Sequence, residues 1–251
     1  MGLASIPKNL MEILTLPSGR IWCIWNIGVS MEDYLYPLDA TEAAKELGCS
    51  IATLIGKLTS FDYSAIPSLT EREEGDTEKW VDIRSRYPFT LIILMDKRSN
   101  DIAGYMSFVP LDGKTFMQIK TGTLIDGDIK AESIPELKPG SRCYLYLTMI
   151  FLRKEYRGTG AVNRLYSSFV KTLSGFAAKD IFFYEVALNA YTRDGERSAI
   201  NLGMKLVSKG APRGKIYSTN ILQLLNSGGP MADQTLAKAY SEIGHDNVLG
   251  L

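Results

Sequence analysis

The sequence predicts an α/β fold built around one mixed sheet, and three stretches predict it. Residues 89–109 hold two apolar runs joined by a polar turn, the pattern of an antiparallel hairpin. Cys143 to Leu152 is apolar on both faces, as in a central strand covered from each side. After a glycine turn come Val162, Leu165, Tyr166, Phe169, Val170 and Leu173, which form a single stripe at helical spacing. Ile181 to Leu188 is the next strand, so residues 143–188 make a strand–helix–strand unit with a right-handed crossover between parallel strands. An antiparallel hairpin beside a parallel pair makes the sheet mixed.

The remaining elements follow in chain order. Ile21 to Gly28 reads as a strand. Residues 39–61 read as helical, starting at Asp39-Ala40-Thr41, with Ala43, Leu47, Ile51, Leu54 and Leu58 recurring at helical spacing. Leu69 to Trp80 contains Thr-Glu-Arg-Glu-Glu-Gly-Asp and reads as a solvated polar stretch. In the hairpin, Phe89 to Met95 and Ile102 to Val109 flank a turn from Asp96 to Asp101, and Pro110 ends the second run. Gly122 to Gly140, with Asp126, Asp128, Glu132 and Glu136, reads as a long excursion, either a solvated surface loop or a face offered to an amine substrate. Gly175 is the expected stop of the striped helix. Thr192 caps a short helix to Leu202, broken by Gly203. Met204 to Ser208 and Ile216 to Leu224 read as strands around the turn Gly210 to Gly214, and Met231 to Leu251 adds one helix.

Composition narrows the function classes. The chain has 251 residues, 45% hydrophobic and 22% charged, with 28 basic and 28 acidic side chains. There is thus no overall charge to draw in nucleic acid or an anionic membrane. Cys23, Cys49 and Cys143 are widely spaced among apolar neighbours and read as buried reduced thiols. His245 is the only histidine, which argues against His/Cys zinc sites and triads with a histidine base. Met1 to Leu16 lacks a leader pattern, and the longest strong apolar run, Cys143 to Leu152, is about half of a bilayer span. The expectation is a cytoplasmic protein without a membrane partner.

Between the central strand and the striped helix lies Arg153-Lys154-Glu155-Tyr156-Arg157-Gly158-Thr159-Gly160-Ala161-Val162. A glycine turn entering a helix gathers backbone N–H groups and the positive helix end at one point, an arrangement that binds phosphate oxygens. Gly158 and Gly160 allow close approach, and Arg157 adds charge. The turn lacks the lysine of a P-loop and the third glycine of a dinucleotide fingerprint.

The turn resembles the pyrophosphate loop of the GNAT acyltransferase superfamily, R/Q-x-x-G-x-G/A after a strand, with Val162 where the family has Gly or Ala. The likeness spans roughly residues 85–225 and includes the helix ending in Leu202-Gly203-Met204. It implies a mostly antiparallel sheet whose two parallel central strands splay apart, with flanking helices. It also implies that acetyl-CoA or another acyl-CoA binds in the splay. Ile150, Phe151 and Leu152 would offer main-chain groups, Arg157, Gly158, Thr159, Gly160, Ala161 and Val162 would hold the pyrophosphate, and Asn189 would reach the pantetheine unless it is an ordinary loop asparagine. The reaction implied is N-acylation of a small-molecule or protein amine. As the sole charge in its strand, Glu185 is the candidate base, unless it simply faces a cation. Ala199 occupies the position where the family often has its tyrosine acid. Tyr191, Tyr146 and Ser198 are the candidate substitutes, unranked, unless the tyrosines simply pack. Residues 1–84 would complete the fold and the acceptor pocket, 85–225 form the core, and 226–251 the tail. A homodimer is left open, as are a non-catalytic acyl-CoA sensor and a nucleotide-binding α/β protein.

Overall fold

The computed structural model describes residues 13–15, 21–23, 34–210 and 213–246, with residues 13–15, 21–23 and 244–246 described by backbone alone. The chain divides into two units, Met1–Tyr34 and Leu35–Leu251. In the first, Ile13–Thr15 (β1) and Ile21–Cys23 (β2) pair antiparallel. The strand expected from Ile21 to Gly28 is described only over β2; its remainder, the first residues of the chain and the last five lie outside the described residues.

The second unit is built on seven strands: Leu35–Leu38 (β3), Leu91–Asp96 (β4), Asp101–Leu111 (β5), Arg142–Leu152 (β6), Phe182–Ala190 (β7), Lys205–Lys209 (β8) and Lys215–Asn220 (β9). Their order is β3-β4-β5-β6-β7-β9-β8. Every neighbouring pair is antiparallel except β6 and β7, which are parallel. The helix Ala161–Ala177 (α6) makes the crossover between them. The sheet is therefore mixed and mostly antiparallel, as expected.

The elements between β3 and β4 depart from expectation. The single helix expected over 39–61 is two, Ala40–Glu46 (α1) and Ile51–Ala65 (α2). Gly48 takes a left-handed φ of 62°, and Ser50 then caps the second helix through its side chain. The stretch read as solvated folds into Glu71–Glu74 (α3) and Thr77–Arg86 (α4), capped by Thr70 and Asp76, with Glu73 and Trp80 buried. The helix Gly113–Lys120 (α5) was not anticipated; Asp112 caps it and Phe116 and Ile119 bury its inner face. Helices α1, α2, α4 and α5 share an apolar core with Tyr105, Val109 and Tyr146 of the sheet. On α6, Phe169 meets Phe108 edge-on with ring centres 5.0 Å apart.

Other boundaries moved less. β5 continues through Pro110, and α6 runs through Gly175. The expected strand Ile216 to Leu224 ends at Asn220, whose side chain caps a short helix, Ile221–Asn226 (α8). Arg193–Asn201 (α7) follows its Thr192 cap as expected, and Gln234–Asp246 (α9) is the tail helix. No helix among the described residues is long and apolar enough to cross a membrane. Cys143 is buried, whereas Cys49 is only partly so; both are free.

One feature of the sheet positions the site. Pairing between β6 and β7 runs from Arg142 opposite Phe182 to Leu147 opposite Leu188, although β6 continues to Leu152 and β7 to Ala190. Where the pairing stops, the β5–β6 register shifts: Ser107 faces Met149 and Phe108 faces Leu147, leaving Thr148 as an extra residue. Such a bulge bends the strand that carries it. The seam between the two parallel strands opens there.

Candidate active site

A cavity of about 570 Å³ occupies the opened seam. One end is formed by the turn after β6. Gly158 and Gly160 have φ values of 72° and 85°, a region that a side chain enters only at a cost. A Cβ at Gly158 would meet nothing within 4 Å, so the backbone there is open to a ligand. Gly160 caps α6; at the helix start the Ala161 N–H donates to Thr159 Oγ1 at 3.4 Å and the Asn163 N–H to the Gly160 carbonyl at 2.9 Å.

The turn is anchored from beneath. Tyr156 is buried, and its hydroxyl donates to Asp96 Oδ2 at 2.8 Å. Hydrogen bonds from Arg98, one at 2.7 Å, grip the same carboxylate and hold it down at about 2. Thr159 turns back to donate to the Tyr156 carbonyl at 2.6 Å, and Ala161 is buried at the start of α6. Arg157 lines the cavity and donates from Nε to the Leu152 carbonyl at 3.0 Å, which takes that main-chain oxygen away from any ligand. Ile150, Phe151, Leu152, Gly158 and Val162 also line the cavity. Of the residues read as the phosphate turn and strand edge, Thr159, Gly160 and Ala161 do not line the cavity.

Other expected site residues do not act as read. Glu185 does not line the cavity. It sits opposite Asn220 in the paired part of β7, before the seam opens, and is bound by Lys120 at 2.6 Å and by Ser218. The alternative reading, a glutamate facing a cation, describes it. Asn189 lines the cavity, but its amide is wedged in the turn between β8 and β9. A Cβ on either Gly210 or Gly214 would collide with it, and its Nδ2 donates to the Arg213 carbonyl at 3.4 Å. It braces that turn from below.

Tyr191 also lines the cavity, and its hydroxyl is buried beside the Asn189 side chain. Burial pushes its pKa far above the ordinary phenol value, so the group keeps its proton. Tyr166 of α6 and Ser198 of α7 line the cavity as well, whereas Ala199 is fully buried beneath α7. Tyr146 donates to Asp126 Oδ1 at 2.6 Å.

The far end of the cavity is carboxylate-rich; of its residues, Asp126 was expected as part of an excursion that could face an amine, whereas Glu73 and Glu74 were read as solvated. Glu73, Glu74 and Asp126 line it. Burial raises Glu74 to about 7, helped by the negative charge of Asp126. Asp126 is raised by burial to about 6, against the opposing pull of Tyr146 and Lys79. Lys79 Nζ donates to the Asp126 carbonyl at 2.7 Å, and burial lowers it to about 8. Glu73 is buried too, but there hydrogen bonds from Arg213 (2.6 and 2.8 Å) and Thr70 outweigh burial and lower it. A readable signal existed for Glu73, since Thr70-x-x-Glu73 is a capping box. Nothing in that pattern says that the box faces inward. The excursion 122–140, read as solvated or facing an amine, turns Asp126 toward the cavity.

No family model and no curated protein matches the chain. Among solved structures it is similar to the loading GNAT domain of CurA from Lyngbya majuscula, at 14% identity and a TM-score of 0.46, covering 75% of this chain and 98% of that one. It is also similar to a GNAT-family acetyltransferase from Staphylococcus aureus, at 15% identity and a TM-score of 0.45, covering 74% and 99%. A third is a mosquito arylalkylamine N-acetyltransferase-like protein, at 12% identity and a TM-score of 0.45, covering 74% and 99%. From its own strand order and register, this chain has a mixed, mostly antiparallel sheet whose single parallel pair parts beside a glycine turn, the architecture that the resemblance implies.

Proposed function

We propose that this chain is an acyl-CoA-dependent N-acyltransferase of the GNAT kind. The observation that carries the reading is one cavity with a phosphate-binding turn at one end and carboxylates that titrate near neutrality at the other. The residues suit an acyl-CoA. The left-handed glycines leave backbone N–H groups approachable, Arg157 adds a positive charge, and the parted strands offer a slot with unpaired main-chain groups.

When bound, acyl-CoA would supply the thioester carbonyl that an amine attacks. An amine reaches the cavity mostly as an ammonium, with a pKa near 10 in water, and must lose a proton to become a nucleophile. Glu74 and Asp126 attract the cation, and Glu74, poised at about 7, takes its proton. Tyr191 holds its own proton and donates a hydrogen bond to the negative charge that develops at the thioester. The departing thiolate recovers a proton from solvent, and the carboxylate resets.

The test is a thermal shift with acetyl-CoA, CoA, ATP and NAD on the wild type and on Arg157→Ala combined with Gly160→Val. A ligand that binds the native state alone raises the midpoint. The expected result is stabilisation by the CoA compounds only, reduced by about tenfold or more in affinity in the double variant, since a β-branched residue at a φ of 85° both strains and blocks the turn. Stabilisation by ATP or NAD instead would overturn the reading. Binding of acetyl-CoA without turnover of any amine would support the non-catalytic sensor.

A further inference from the structure

Resting on the acyltransferase reading, the acceptor end of the cavity tells what kind of amine it takes. Three chain segments meet there: the link from α2 to α4, the 122–140 excursion, and the turn between β8 and β9. The last is tied across the end. The Arg213 guanidinium donates to both oxygens of Glu73 and to the Ser68 carbonyl, and it lies 5.5 Å from the Tyr191 ring centre. Asn189 holds the same turn from the sheet side, where Gly210 and Gly214 leave it room. Beneath, Asp126 reaches in beside Gly127, where a Cβ would strike the Arg72 carbonyl, so the excursion is pressed against α3.

The charges are largely spoken for. Glu73 is matched by Arg213, and Asp62 accepts a hydrogen bond from Tyr105. Near Glu74 and Asp126 lie Lys79, through their main-chain carbonyls, and the buried Arg84 guanidinium. The carboxylates that are buried or line the cavity at this end, Asp62, Glu73, Glu74 and Asp126, thus face the cations Lys79, Arg84 and Arg213, which leaves room for one more positive charge, and a second on the same molecule would face no unmatched carboxylate among them. The rest of the wall is apolar: Ala65, Ile66, Leu69 and Met149. The Tyr191 hydroxyl is buried at this end beside the Asn189 side chain.

From this geometry we infer that the acceptor is a small, free primary amine with a single positive charge and an apolar body, rather than a polyamine or the amino terminus of a peptide. The ammonium sits at Glu74 and Asp126, and the body packs against Ile66, Leu69 and Met149. A peptide would have to carry its polar backbone past the Arg213–Glu73 tie. In the reaction the amine nitrogen forms the amide bond and sheds two protons, the first to Glu74 and on to solvent before attack and the second to solvent as the carbon–sulfur bond breaks, while the thiolate leaving group takes one up.

The experiment measures CoA release from acetyl-CoA by the full chain with phenethylamine, spermidine and a tetrapeptide with a free amino terminus. It is repeated with Arg213→Ala and Arg213→Lys, and acetyl-CoA binding is measured by calorimetry in each protein. The expected result is a kcat/KM for phenethylamine at least about a hundredfold above the other two. Arg213→Ala should narrow the gap to the peptide by about tenfold, Arg213→Lys should narrow it less, and acetyl-CoA affinity should be unchanged in both. Preference for spermidine or the peptide over phenethylamine overturns the inference. Failure of the wild type to bind acetyl-CoA, or binding with none of the three amines turned over, overturns instead the acyltransferase reading on which it rests.

Discussion

At the Arg157–Val162 end of the cavity the recognising groups belong to the main chain of one turn, while at the other end they are carboxylates carried in by separate segments. The first end needs two left-handed glycines and a helix start, and it is open to solvent around Arg157. The second needs burial: Glu74 and Asp126 acquire pKa values of about 7 and about 6 only because the surrounding helices exclude water. In the proposed function, backbone recognition of phosphate would be local, cheap in stability and indifferent to pH near neutrality, whereas proton handling would be non-local and work against the fold that creates it.

The largest effect that separates the two ends is on turnover. Glu74→Gln should lower kcat by about a hundredfold or more, with acetyl-CoA affinity within about twofold of the wild type because the phosphate turn is untouched. Equal losses in binding and turnover would break the distinction between the ends. The same variant sharpens it through stability. The pKa of Glu74 in the folded chain, about 7, lies above its ordinary value of 4.5. The folded state therefore holds an extra proton between those values, and stability falls as pH rises through that window. Above it the cost from this one group is roughly 3 kcal/mol. Denaturation midpoints from pH 4.5 to pH 8 should fall more steeply for the wild type than for Glu74→Gln, and parallel slopes would remove the buried carboxylate from the account. The smallest effect is at the opposite end. Tyr156→Phe deletes the hydroxyl that donates to Asp96 and should cost about 1 kcal/mol in stability, with a modest weakening of acetyl-CoA binding and no change in the pH profile of turnover.

The same contrast explains what could be read from the sequence. The striped helix, the central strand and the turn at Arg157 were legible because periodicity and glycine placement are written in consecutive residues. Val162, Leu165 and Phe169 announce the face of α6 without any knowledge of what covers it. Glu74 and Asp126 carry no such mark; each is an acidic residue in a polar stretch, and only the packing of α3 against the excursion turns them inward. Glu185 misled for the opposite reason. It stands alone among apolar neighbours in sequence, yet Lys120 reaches it from α5, a helix that the sequence reading left out. The break at Gly48 was written in the chain as a glycine followed by the cap Ser50, but it was hidden by apolar spacing that continues across it.

Arg84 gives the seam a fulcrum outside the sheet. Buried on α4, it donates from one nitrogen to Thr90 and the Phe108 carbonyl, and from the other to Ser107 Oγ at 2.6 Å; Ser107 in turn bonds Thr148, the extra residue of the bulge. The angle at which β6 leaves its parallel neighbour is thus set by a side chain rooted in the helical layer. Selection, or an engineer, can widen or narrow the slot by reshaping how α4 seats, leaving every cavity-lining side chain as it is.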